Sequence, residues 1–143
     1  MFSQLVRNIM DPRKLILVPG ALTVRAAAEV MKSRHYGAVL ITEGEALLGI
    51  FTERDALFRV IAVGRNPDTT PVSAVMTKNP KTIAPDKTFG HAMLMMHKGG
   101  YRHVPVVEGG KLVGMVSSRN ALDPDLEEFV YEERRRKRLI ETS

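Results

Sequence analysis

The chain contains the same unit twice, and this internal repeat limits the folds that it can adopt. Residues 49–57, GIFTERDAL, match residues 114–122, GMVSSRNAL, at an offset of 65 residues (114 − 49 = 65). The same offset aligns residues 36–57 with residues 101–122, and nine of these 22 positions are identical. Composition alone gives roughly one or two identities over such a length. We therefore expect two copies of one supersecondary unit, because self-similarity at a fixed period is typical of repeat architectures.

Length and composition are those of a single domain without disulfides. A chain of 143 residues can form a sizeable core. Units of about 60 residues are marginal alone, so we expect the two copies to share one core. The absence of cysteine excludes a disulfide framework and thiolate chemistry. The sequence shows neither a signal peptide nor a run of roughly 20 apolar residues that could span a membrane, which predicts a cytoplasmic protein.

The net charge of +5 comes from the C-terminal end of the chain. Residues 134–138 are four arginines and one lysine, and the other 16 basic residues (21 − 5 = 16) balance the 16 acidic ones. The rest of the chain is therefore not the basic surface of a typical nucleic-acid-binding domain. We expect residues 126–143 to form a charged tail, helical over 125–140, with i, i+4 ion pairs Glu132–Arg136 and Glu133–Lys137.

Hydrophobic periodicity predicts the order β-α-β-β-α in each copy. In the first copy, Val24, Ala27, Ala28 and Met31 form an apolar stripe at helical spacing, so residues 23–34 are expected to be helical. The other expected elements of the first copy are strands at 15–18, 38–41 and 47–51 and a helix over 53–62. Those of the second copy are a strand at 82–83, a helix over 89–98, strands at 103–107 and 112–116, and a helix from residue 118 or 119. A short helix is expected at 71–76.

The predicted strands are apolar on both faces and therefore need cover on both faces. Helices can cover one face, and the other copy can cover the second. The predicted fold is α+β, with two β-α-β-β-α repeats packed about a pseudo-two-fold axis. This arrangement creates two symmetry-related clefts between the repeats, and interfaces of this kind are common ligand sites.

The chain resembles the CBS (cystathionine-β-synthase) domain family, whose repeats pair into a Bateman module. The resemblance rests on the run Gly-hydrophobic-x-Thr/Ser-x-x-Asp/Asn-x-Leu after a hydrophobic hairpin, which occurs at residues 49–57 and again at 114–122. It spans roughly residues 8 to 125. The divisions that it implies are a first repeat over 8–66, a linker over 67–74, a second repeat over 75–125 and the tail over 126–143.

The resemblance implies binding of an adenosine compound in clefts where the motif of one repeat faces the strand of the other. In the family, the Asp of the motif accepts hydrogen bonds from the ribose hydroxyls, and the Thr lies near phosphate. A carboxylate can accept both hydroxyls of a diol through charge-assisted hydrogen bonds. The first cleft would combine Thr52, Asp55, Thr82, Arg102, His103, Val104 and Pro105. The second would combine Leu17, Gly37, Ala38, Val39, Ser117 and Asn120.

The two clefts differ in charge. Asn120 replaces the carboxylate of Asp55, and an amide donates as well as accepts hydrogen bonds. Residues 37–38, Gly and Ala, replace the basic pair Arg102 and His103. We therefore expect the first cleft to be the stronger site. The basic pair favours a phosphorylated ligand, and the sequence leaves AMP, ADP, ATP, NAD and S-adenosylmethionine open.

The repeated motif has a second interpretation that needs no ligand. Thr-x-x-Asp at a strand-to-helix junction is the pattern of a capping box, in which Thr52 accepts from the first helix amides and Asp55 complements the helix dipole. Such a cap contributes about 1 kcal/mol. The two interpretations are compatible, because a helix N-terminus also favours anions.

The leading hypothesis is a regulatory module that binds an adenine nucleotide, forms a homodimer and acts on a partner protein. The sequence shows no metal-ligand spacing and no nucleophile–base pair, so we expect neither an enzyme nor a required cofactor. The alternative is a dimerisation or interaction scaffold without a physiological nucleotide, whose basic tail binds nucleic acid or another partner.

Overall fold

Two sheets form the frame of the computed structural model, which describes residues 2–121 and 132–139. In the first sheet, Leu17–Val18 (β1), Ala38–Glu43 (β2), Ala46–Thr52 (β3) and Thr77–Lys78 (β4) lie side by side in that order. In the second sheet, His103–Glu108 (β5) pairs with Lys111–Ser117 (β6). β1 is parallel to β2, and the other strand pairs are antiparallel.

Helices flank the sheets. Within residues 2–121 the α-helices are Val6–Ile9 (α1), Val24–Arg34 (α2), Glu53–Asp55 (α3) and Phe89–Gly99 (α4). Short 3₁₀ turns lie at Pro12–Lys14, Val72–Ala74 and Ser118–Ala121. Thr23 and Thr88 cap α2 and α4, because their hydroxyls accept from the backbone amides three residues on at 3.2 Å. Every helix in the described residues is too short or too polar to cross a membrane.

The strand pairing confirms the repeat at the level of single residues. Val18 pairs in parallel with Ile41, and Ile83 pairs in parallel with Val106, which are the same positions 65 residues later (18 + 65 = 83, 41 + 65 = 106). Both hairpins also shift register immediately after these residues, at Ile41 and at Val106. The α+β fold and its two repeats are therefore confirmed.

Four predicted elements differ from the structure. The helix expected from residue 118 or 119 is a 3₁₀ turn at Ser118–Ala121, and its continuation lies outside the described residues. The helix expected over 53–62 is α-helical only to Asp55 and continues as a π-helix over Ala56–Ile61, a wider turn that is rare in proteins. The short helix expected at 71–76 is the 3₁₀ turn at Val72–Ala74. The strand expected at 82–83 is a single bridge at Ile83.

The segment that precedes each repeat packs against the other repeat. The amide of Val6 donates to the Lys87 carbonyl oxygen at 2.8 Å, and Val6 belongs to the core cluster of the second repeat. The amide of Val72 donates to the Leu22 carbonyl oxygen at 2.7 Å, and Val72 belongs to the core cluster of the first repeat. The two repeats are therefore tied together by an exchange of their leading segments.

Two glycines at equivalent strand positions make room for this exchange. A Cβ on Gly49 would lie 2.5 Å from Met76 Sδ, and a Cβ on Gly114 would lie 2.6 Å from Met10 Sδ. Each methionine belongs to the segment that precedes the opposite repeat, and close approach of this kind is a common reason for glycine in a strand.

Residues 132–139 are helical, as the sequence predicts for this part of the tail. The ion pairs there are Glu132–Arg135 at 4.0 Å and Glu133–Arg136 at 3.7 Å. These are i, i+3 pairs, so the predicted i, i+4 pairs are wrong. The remainder of the helix expected over 125–140 lies outside the described residues.

Candidate functional site

The junction between β3 and α3 forms a complete capping box. Asp55 N donates to Thr52 Oγ1 at 3.3 Å, and Thr52 N donates to Asp55 Oδ2 at 2.9 Å. The Thr52 hydroxyl lies 3.1 Å from the same Asp55 oxygen. Asp55 is only 6% exposed, so this carboxylate is fixed at the start of the helix. The capping interpretation of the motif is confirmed.

The second oxygen of the Asp55 carboxylate faces the segment that leads into the second repeat. Thr77 Oγ1 donates to Asp55 Oδ1 at 3.1 Å, and Arg59 Nε lies 3.5 Å from the same oxygen. Arg59 also donates from Nη1 to the Met76 carbonyl oxygen at 2.9 Å. These partners of Asp55 were not predicted from the sequence. The contact of Arg59 with Asp55 could have been predicted from their i, i+4 spacing. No local sequence pattern indicates the contact of Thr77 with Asp55.

The other residues expected in the first cleft differ in exposure. Thr82 and Arg102 are exposed, whereas Val104 and Pro105 are buried in β5. Among the described residues, no hydrogen bond joins Asp55 to any of these side chains or to His103.

A neighbour of Asp55 makes the direct link to the second repeat. Arg54 Nη1 donates to the Gly100 carbonyl oxygen at 2.9 Å, at the end of α4 and two residues before Arg102. The motif of the first repeat therefore contacts the second repeat beside the expected phosphate-binding position.

His103 is partly buried against the first repeat. Its ring meets the Tyr36 ring edge-to-face, with 5.5 Å between the ring centroids. Burial, aided by the nearby Arg102 guanidinium, lowers the pKa of His103 from 6.5 to about 4. His103 is therefore neutral at neutral pH, and the positive charge of the expected basic pair rests on Arg102.

The second copy of the motif keeps one of the two capping-box hydrogen bonds, with an amide as the acceptor. Ser117 is buried and pairs with His103 across the β5–β6 hairpin. Ser117 N donates to Asn120 Oδ1 at 2.7 Å, which is the counterpart of the bond between Thr52 and Asp55. The Ser117 hydroxyl lies 3.4 Å from the same Asn120 oxygen. Ser117 also neighbours the Tyr36 hydroxyl of the first repeat, and burial raises the pKa of Tyr36 to about 12.

The first-repeat residues expected in the second cleft differ in exposure. Leu17 is half-exposed, whereas Ala38 and Val39 are completely buried in the first sheet. Gly37 is crowded, because a Cβ there would lie 2.8 Å from Glu53 Oε1. The structure places a residue that was not predicted in either cleft, Tyr36, against His103 and beside Ser117.

A surface cavity of about 380 Å³ lies on the outer side of Arg59, the residue that contacts Asp55. Its lining residues are Phe58, Arg59, Val63, Arg65, Ala74 and Val75. It contains none of the residues predicted for ligand binding. Within the described residues, no group of three or more His, Asp or Glu side chains could hold a metal ion.

Comparison with known proteins gives consistent results. The CBS-domain family profile matches residues 6–62 and 72–125. A CBS domain-containing protein of Arabidopsis thaliana is 40% identical over 110 residues, which are 76% of this chain and 20% of the relative. The chain thus spans about a fifth of the length of that curated relative.

Solved structures with CBS domains share the fold. A CBS-domain-containing protein from Agrobacterium tumefaciens superposes with a TM-score of 0.77 at 30% identity, covering 85% of this chain and 99% of that one. A CBS domain protein from Pyrobaculum aerophilum, complexed with AMP, superposes with a TM-score of 0.74 at 23% identity, covering 82% of this chain and 89% of that one.

Proposed function

The chain belongs to the CBS-domain family, and from this premise we propose that it is a regulatory module that binds an adenosine ligand between its two repeats. The observation that carries the proposal is the position of Asp55. Its carboxylate is fixed by the capping box, and its Oδ1 atom faces Thr77, at the entrance to the second repeat. A buried carboxylate between two halves of a molecule is a common element of ligand sites.

A ribose hydroxyl is a chemically suitable replacement for the Thr77 hydroxyl. Both are neutral O–H donors to the same charged acceptor, so the exchange leaves the number of hydrogen bonds to Asp55 unchanged. Hydrogen bonds to a charged group contribute about 1.5–3 kcal/mol. The exposed Arg102 guanidinium can pair with a phosphate, which favours AMP, ADP or ATP. The AMP complex of a protein with the same fold supports this choice.

The contacts of Asp55 suggest how binding is transmitted. Thr77 and Arg59 join the carboxylate to the segment between the repeats, because Arg59 also binds the Met76 carbonyl oxygen. A ligand that displaces Thr77 changes this connection and hence the contact between the repeats. Such a switch requires different ligand affinities in its two states. We propose that a partner protein responds to this change.

Thermal unfolding against a panel of ligands tests the proposal. The panel is AMP, ADP, ATP, NADH and S-adenosylmethionine, with GMP as the control ligand. A ligand that binds only the folded state stabilises it by about 2.7 kcal/mol at a hundredfold excess over Kd. We expect an adenosine compound to raise the midpoint of the wild type.

Two variants separate ligand binding from helix capping. Asp55→Asn removes the charge from the cleft, and Thr88→Ala removes a cap from α4, outside both predicted clefts. The ligand-induced shift should be much smaller in Asp55→Asn and should persist in Thr88→Ala. If no adenosine compound shifts the wild type, the ligand-binding function is rejected and the capping role of Asp55 remains.

A scaffold function is the second candidate, and two observations favour it. Both Asp55 oxygens already have partners within the protein. The helical segment that follows also exposes apolar side chains, Leu57, Phe58 and the 70% exposed Ile61, which a second chain could cover. An oligomer that forms equally well with and without adenosine compounds, together with no thermal shift, would favour this function.

A further inference from the structure

The second cleft is occupied by a side chain of the protein itself. We propose that Tyr36 closes this cleft and limits the protein to one adenosine ligand per chain, an inference that rests on the proposed function.

Tyr36 extends from the end of α2 to the second repeat. It is 8% exposed, its ring packs edge-to-face on His103, and its hydroxyl neighbours Ser117, which pairs with His103 across the hairpin. Lys14 Nζ lies 5.8 Å from the centroid of the same ring. Because Ser117 is the motif hydroxyl of the second cleft, a ligand there must first displace Tyr36. Displacement exposes the buried Tyr36 ring to water and breaks its edge-to-face contact with His103.

The equivalent tyrosine of the second repeat behaves differently. Tyr101 aligns with Tyr36 (36 + 65 = 101), but its ring folds back against Gly99 and packs on the core of its own repeat. The first cleft is therefore not closed by its tyrosine, whereas the second cleft is closed by Tyr36.

One residue of the repeat explains the difference between the two tyrosines. A Cβ on Gly99 would collide with the Tyr101 ring. The first repeat has Arg34 at this position (34 + 65 = 99), so a Cβ is present and Tyr36 cannot fold back in the same way. The backbone does not account for the difference, because the next residue in each repeat, at 35 and at 100, is left-handed in both cases, with φ of 52° and 72°.

Titration with AMP, followed by calorimetry and by amide NMR, tests this inference. We expect one AMP per chain in the wild type and two in Tyr36→Ala. Arg34→Gly should also bind two AMP per chain. This variant keeps Tyr36 but removes the Cβ that prevents its ring from folding back as the Tyr101 ring does. Tyr101→Ala is the matched control and should still bind one. In Gly99→Ala the added methyl group drives the Tyr101 ring towards the first cleft, so AMP affinity there should fall at least tenfold.

NMR identifies which cleft is filled. In Tyr36→Ala and Arg34→Gly, AMP should shift the amides of Ser117 and Asn120 as well as those of Thr52 and Asp55. A stoichiometry of one in both opened variants, or of two in the wild type, overturns the inference. If the wild type binds no AMP but Tyr36→Ala binds one, the closure by Tyr36 stands and the proposed first site fails. If no variant binds AMP, both are rejected.

Discussion

Acid should destabilise this protein through His103. Burial, followed by the charge of Arg102, lowers its pKa from 6.5 to about 4 in the folded state. The unfolded chain therefore takes up a proton at a higher pH than the folded protein does. The stability that neutral His103 provides is complete above pH 6.5 and is lost as the pH falls from 6.5 towards about 4.

The size of the effect follows from the two pKa values. Each unit of difference corresponds to about 1.4 kcal/mol. Linkage then gives a loss of about 2 kcal/mol between about pH 7 and about pH 5, rising to about 3 kcal/mol near pH 4. A loss of this size is a large fraction of the 5–15 kcal/mol that is roughly typical of folded domains.

Urea unfolding of three proteins at about pH 7 and about pH 5 measures this contribution. Carboxylates also titrate in acid, so the informative quantity is the difference between variants. His103→Gln should lose about 2 kcal/mol less than the wild type over this interval. His97→Gln, which changes an exposed histidine on α4, should behave like the wild type. If His103→Gln keeps the full acid sensitivity of the wild type, the buried neutral state of His103 is wrong.

Two further predictions concern packing and assembly. Gly49→Ala should lower the free energy of unfolding by about 1–3 kcal/mol, because its Cβ would lie 2.7 Å from the Thr77 carbonyl oxygen, which belongs to the backbone. Gly114→Ala should cost less, since the three atoms nearest to its Cβ all belong to the flexible side chain of Met10. The reverse order in urea unfolding would contradict this reasoning. Ile61→Lys should convert the expected homodimer to monomer in light scattering without lowering the thermal midpoint of the monomer, and an unchanged mass would exclude this surface as the interface.

The sequence was sufficient to predict most of the fold, because the repeat supplies each element twice. The alignment of residues 36–57 with 101–122 places both hairpins and both motifs, and the strand pairing follows the same offset. Local capping patterns could also be predicted, as the capping box of Thr52 and Asp55 shows.

Contacts between segments distant in the chain were not predictable. The Asp55 side chain meets Thr77 only because β4 joins the first sheet, and no local pattern indicates that pairing. The neutral state of His103 depends on its burial, and one contact there is with the ring of Tyr36, which is 67 residues away (103 − 36 = 67). The difference between Arg34 and Gly99 was visible in the alignment, but its consequence requires the position of the tyrosine ring.

The central claim is that Asp55 holds the ribose of an adenosine ligand. The most direct test removes one ribose hydroxyl from the ligand and, separately, the charge of Asp55 from the protein. Calorimetric titration compares AMP with its 2′-deoxy analogue on the wild type and on Asp55→Asn. The account predicts that the wild type prefers AMP by about 1.5–3 kcal/mol, at least tenfold in Kd, and that Asp55→Asn loses most of this preference. Equal affinity of the wild type for both ligands, or the same preference in both proteins, would contradict it.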